Sequence, residues 1–115
     1  MSQYKGYELQ EKDGDIAVLY SPGFGAGWST WNYESLAYDK RVVELFDNNP
    51  PPLDEDHLEI VQKALKEYGY GQPYLGGYEQ LIKEWIPKNQ PFRIHKYDGS
   101  EHIQYVDEMG LICFT

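Results

Sequence analysis

The chain is poor in cysteine, in clustered positive charge and in long apolar runs. Its single cysteine, Cys113, excludes an intramolecular disulfide and a cysteine-based zinc site. It lies in Leu111-Ile112-Cys113-Phe114 and is expected to be a buried core residue. Ten basic residues stand against 19 acidic ones, a formal charge of −9. The one adjacent basic pair is Lys40-Arg41. A nucleic-acid binder needs a basic footprint that displaces phosphate counterions, so direct DNA or RNA binding is not expected. An anionic membrane surface is disfavoured for the same reason. The N-terminus is polar, without the apolar stretch of a signal peptide, and no apolar run approaches transmembrane length. A cytoplasmic protein is therefore expected.

Motifs of catalysis are scarce as well. Gly-x-Ser-x-Gly is absent. Ser21, Ser29 or Ser100 would need a base within hydrogen-bond reach to act as nucleophile. Carboxylate pairs carry little information in a chain this acidic. His95 and His102 fall on two strands of one expected hairpin, and His57 lies elsewhere. A metal would need a third and usually a fourth ligand, and the spacing with Asp98 and Glu101 matches no known site. The histidines are read as solvent-facing residues. No enzyme, metal or cofactor is expected.

Aromatic residues are plentiful: 11 Tyr, 4 Phe and 3 Trp in 115 residues. Such a chain has the material for one core, and the length fits a single domain. Alternation over Tyr4 to Glu11 predicts a half-buried strand, Lys12 to Asp15 a turn, and Ile16 to Tyr20 a central strand buried on both faces. A helix is predicted from about Glu34 to Phe46, capped by Ser29, Thr30 or Asn32. Pro50-Pro51-Pro52 makes a stiff connection. Asp54 caps a second helix with Leu58, Val61, Ala64, Leu65 and Tyr68 on one face and Gly69 as its stop. Tyr78 to Pro87 suits helix or strand equally. Phe92 to Tyr97 and Glu101 to Val106 predict a hairpin around Asp98-Gly99, and Leu111 to Phe114 a last strand. The fold class is α+β: a mainly antiparallel sheet of about five strands with two helices on one face. A small mixed-sheet α/β arrangement is the alternative.

Two segments stand out. Gly23-Phe24-Gly25-Ala26-Gly27-Trp28-Ser29 follows a strand and precedes a helix, so its free backbone N–H groups can form a nest for a phosphate or carboxylate. It lacks the lysine of a P-loop and the spacing of Gly-x-Gly-x-x-Gly. The structural alternative is a tight connection in which Phe24, Trp28 and Trp31 pack on the core. Tyr68 to Tyr78 places four tyrosines among glycines, the composition of a binding loop or of a cover for one end of the core.

These segments also carry a resemblance. Gly23 to Ser29, Asp54-Glu55-Asp56, Trp85-Ile86-Pro87 and Phe92 to Ile103 with Tyr97-Asp98-Gly99-Ser100-Glu101 resemble small uncharacterised proteins of bacteriophages and prophages, over roughly residues 16 to 106. Lys96 replaces that group's usual acid, and Ser21 or Pro22 its cysteine. The resemblance implies phage origin and a strand at Leu81 to Ile86, and brings no catalytic residue.

Three functions are expected from these features. One is a non-catalytic binder of a phosphate-bearing, nucleotide-like ligand, in a phage context a host immune signal to be sequestered. Gly23, Phe24, Gly25, Gly27, Trp28, Ser29, Trp31, Arg41, Tyr70 and Tyr74 would hold it, and homo-oligomerisation would help to build such a pocket. Another is an acidic inhibitor that docks Asp54, Glu55 and Asp56 on a basic groove of a host defence protein. A virion accessory component is the third.

Overall fold

The computed structural model describes residues 2–106 and 112–115. Its strands are β1 (Gln3–Tyr4), β2 (Tyr7–Glu8), β3 (Glu11–Lys12), β4 (Asp15–Tyr20), β5 (Ile82–Pro87), β6 (Phe92–Tyr97) and β7 (Ser100–Tyr105). Its helices are α1 (Lys40–Asn48) and α2 (Glu55–Glu67), with single 3₁₀ turns at Glu34–Ala37 and Tyr78–Gln80. The fold is α+β, and every strand pair is antiparallel, which excludes the mixed-sheet alternative. The single sheet of about five strands is replaced by three small sheets, β1-β2, β3-β4-β5 and β6-β7.

β4 organises both halves of the core. Ala17 and Leu19 join one buried cluster with Val42, Val43 and Leu45 of α1 and Val61 and Leu65 of α2, so both helices cover one face. Ile16 and Val18 join the other with Leu9, Tyr38, Ile86, Phe92, Ile112 and Phe114. The strand is buried on both faces because its apolar run leaves no side of it to water. β5 pairs with it along its whole length, from Asp15↔Pro87 to Tyr20↔Ile82. The ambiguous segment is thus a 3₁₀ turn followed by a strand.

Four expectations about single segments are corrected. The strand expected over Tyr4 to Glu11 is broken by a turn in which Lys5 and Gly6 have φ of 50° and 87°, folding β1 onto β2. The first helix starts at Lys40, and its N-cap is Asp39, whose carboxylate accepts from Arg41 N–H. Ser29, Thr30 and Asn32 do not cap it. Cys113 is partly exposed. Of the expected last strand, Ile112 forms a single bridge to Phe92, and Leu111 lies outside the described residues.

α2 follows its sequence signals closely. The Asp54 carboxylate accepts from His57 N–H at 2.8 Å. At the other end Gly69 has φ 98°, Gly69 N–H bonds Lys66 O and Tyr70 N–H bonds Leu65 O. That is a Schellman stop, in which Tyr70 packs back over Leu65 in the same cluster.

Three tyrosines are sealed in the core: Tyr38, Tyr70 and Tyr78 are each at most 7% exposed. Burial raises all three phenols above their ordinary range, with Glu34 adding to Tyr38 and Glu79 and Asp47 to Tyr78. For Tyr70, its bond to Ser35 opposes burial while the Asp39 carboxylate adds to it. The unfolded chain loses these protons first, near pH 10. Their contribution to stability is therefore complete below about pH 10 and is lost as pH rises beyond it. Alkaline titration followed at 295 nm should show these three ionising only together with unfolding. Smooth ionisation of all 11 tyrosines before the far-UV signal changes would contradict this packing.

Candidate functional site

The glycine loop is built around a carboxylate from the same chain. Glu101, at the start of β7, is fully buried. Its side chain accepts from Ser21 N–H at 3.0 Å, Trp28 N–H at 3.1 Å, Thr30 N–H at 3.0 Å and the Thr30 hydroxyl at 2.5 Å. A buried charge is tolerated only when its hydrogen-bonding capacity is filled, and here four donors fill it. Among the described residues no cation pairs with Glu101. The backbone completes the junction: Glu101 N–H donates to Ser21 O, Gly25 N–H to Asp98 O and Gly27 N–H to Gly99 O. The two most distinctive segments of the sequence, residues 23–29 and 97–101, are therefore the two sides of one contact. Within the loop only Trp28 N–H donates to Glu101, while Gly25 and Gly27 donate to carbonyls of the hairpin turn, so the expected nest of glycine N–H groups is taken up by the chain itself.

Aromatic side chains surround this junction. Trp31 lies over the bare Cα atoms of Gly27 and Gly99; a Cβ at either would come within 2.2 or 2.8 Å of its ring. Trp31 meets Tyr74 at 5.6 Å between centroids, and Phe24 meets Tyr97 edge-on at 6.3 Å. Tyr74 is pinned at both ends. Its hydroxyl donates to Gly25 O at 2.8 Å, and its backbone N–H and C=O are both bonded by the Asn32 amide at 2.9 Å. Phe24, Tyr97, Tyr74 and Trp31 are nevertheless 74%, 68%, 48% and 44% exposed.

The other residues expected to share a ligand lie apart from this rim. Trp28 is fully buried, and its indole N–H donates to Leu36 O, because the turn after Gly27 points it into the core. Ser29 is also buried. Gly23 sits against the Gln80 side chain. Arg41 and Tyr70 meet on the buried Asp39: Arg41 bonds both of its oxygens, and the Tyr70 hydroxyl bonds it at 2.8 Å and Ser35 at 2.9 Å. No long helix aims its N-terminus at the loop, since α1 begins only at Lys40. Three hollows, of about 420, 370 and 270 Å³, are lined by none of Phe24, Trp28, Tyr70 and Tyr74.

Asp54, Glu55 and Asp56 are exposed at the start of α2, but Asp54 is committed to His57, whose N–H and ring hold its carboxyl below the ordinary range. Ser100 does lie 3.0 Å from His102 Nε2. Its hydroxyl donates to Pro22 O at 2.6 Å, and among the described residues no carboxylate orients His102, so the pair lacks the arrangement of an activated nucleophile. Among the described residues no three potential metal ligands converge. Sequence reasoning missed Glu101, Asn32 and Tyr97. Comparison with known proteins found no matching family model, curated protein or solved structure.

Replacing Glu101 by Ala would orphan two buried N–H groups and the half-buried N–H and hydroxyl of Thr30, at a cost of about 3 kcal/mol or more. Thermal unfolding should show a drop of roughly 10 °C. Glu101→Gln should lose a large part of this, because its amide N–H₂ must face a backbone donor. A Glu101→Ala variant as stable as the parent would show that the carboxylate does not hold the loop.

Proposed function

We propose that this chain is a non-catalytic binding protein that docks on another protein through the aromatic rim of its glycine loop. The observation that supports this is the pairing of large exposed aromatics with an immobile base. Phe24, Trp31, Tyr74 and Tyr97 present their rings to water, while the backbone beneath them is tied to Glu101. Trp and Tyr dominate the energetics of protein interfaces, and a preformed surface spends little conformational entropy on binding. Adjoining exposed aromatics on a soluble domain mark such a surface. The charge of −9 favours a basic partner, chiefly by speeding encounter. With the resemblance to phage proteins, the partner is a protein of a bacterial host, met in its cytoplasm.

This places the docking face on the rim rather than on Asp54, Glu55 and Asp56. A nucleotide-like ligand is the less favoured function, for two reasons. The loop N–H groups that would anchor its phosphate are taken by Asp98 O, Gly99 O and Glu101, and Trp31 and Tyr74 touch each other, leaving no slot between them for a base.

The discriminating variant is Phe24→Ser with Tyr97→Ser, which removes two rings that the fold does not bury. Its unfolding temperature should stay within about 2 °C of the parent, since exposed substitutions away from special contacts change little. The parent immobilised on resin should retain a host protein at low salt, and the double variant should lose it. Equal retention by both, or a rise of several degrees on adding mono-, di- or cyclic nucleotides, would refute docking through the rim.

A further inference from the structure

We propose that His95 and His102 form a two-histidine chelate for a divalent transition metal of the zinc, nickel and copper class. The hairpin register sets His95 directly opposite His102, and both side chains are exposed. Directly opposed residues of antiparallel strands have Cβ atoms about 4.5–5.5 Å apart, close enough for two imidazoles to share one ion at about 2.0–2.1 Å from each nitrogen.

The hydrogen bonding fixes which nitrogen of His102 is available. Ser100 has one hydroxyl proton, and Pro22 O takes it at 2.6 Å. The 3.0 Å contact between Ser100 Oγ and His102 Nε2 is then a bond in which the imidazole donates. Nε2 carries the proton, and Nδ1 keeps its lone pair for a metal. Outer bonds of this kind orient metal-ligating imidazoles. His95 has no partner among the described residues and turns freely to meet the ion. Arg93, two residues away on the same face, is engaged through Nε by Gln104 opposite it at 2.6 Å. Imidazole ligation selects zinc, nickel or copper over magnesium or calcium, and water completes the coordination. The chelate adjoins the rim, since Tyr97 lies two residues from His95 on the same face, but it does not depend on the docking proposed for the rim.

Calorimetric titration of the purified chain with zinc chloride and with nickel chloride tests this. One ion per chain is expected, and magnesium chloride at the same concentration should give no heat. His95→Ala and His102→Ala should each weaken binding by about tenfold or more. His57→Ala should leave it unchanged, because His57 lies on α2, its ring on Asp54. Nickel should broaden the imidazole NMR signals of His95 and His102 before that of His57. No binding up to about 1 mM metal, unchanged affinity in His95→Ala, or loss of binding in His57→Ala would overturn the proposal.

Discussion

The contact between Glu101 and the backbone around residues 21–30 is the constraint on which the distinctive half of this molecule depends. It joins the end of β4, the glycine loop and the first residues of β7 through one side chain. Two further backbone bonds from Gly25 and Gly27 to Asp98 and Gly99 lock the loop to the hairpin turn. The glycines follow from this geometry. The chain must pass so close beneath Trp31 that no Cβ fits at Gly27 or Gly99. The exposed rings therefore stand on a strip of backbone held jointly by the buried carboxylate, by these two backbone bonds and by the side chains of Tyr74 and Asn32.

The rest of the core is more conventional. β4 forms the shared wall of two hydrophobic clusters, one closed by the helices and the other by the β6–β7 hairpin, the N-terminal strands and the C-terminal residues. A second buried carboxylate, Asp39, serves this half. It caps α1, accepts from Tyr70 and pairs with Arg41, joining the 3₁₀ turn, the helix and the segment after α2 at one point. Glu101 is satisfied by donors from irregular chain, and Asp39 by Arg41 of α1 together with Tyr70, so each buried acid ties segments of little regular structure to a fixed position.

Much of this was legible in the sequence where the signal is local. The cap and stop of α2 lie within a few residues of the groups they satisfy, and Asp-Gly at 13–14 and 98–99 marked two turns. Lys5-Gly6 forms a turn of the same kind, but lysine is not a turn residue by habit, and the alternation around it imitated a continuous strand. The start of α1 was misplaced because Leu36, though buried, belongs to a 3₁₀ turn outside the helix. The role of the glycine loop was half legible. That its backbone makes a close approach follows from glycine spacing, whereas the carboxylate its flanking residues bind belongs to a residue more than 70 positions away. In a chain with 19 acids, no local feature singles out the one that goes inside.

That separation also orders events in time. Ser21, Trp28 and Thr30 leave the ribosome long before Glu101 does, so the nascent chain carries a glycine loop whose donors have only water to bond. The helices and β4 can already collapse around their shared apolar face, since that face needs nothing beyond Trp85. The loop cannot set until the β6–β7 hairpin arrives and inserts its carboxylate. The arrangement of the exposed rings is therefore set only after the β6–β7 hairpin has been made.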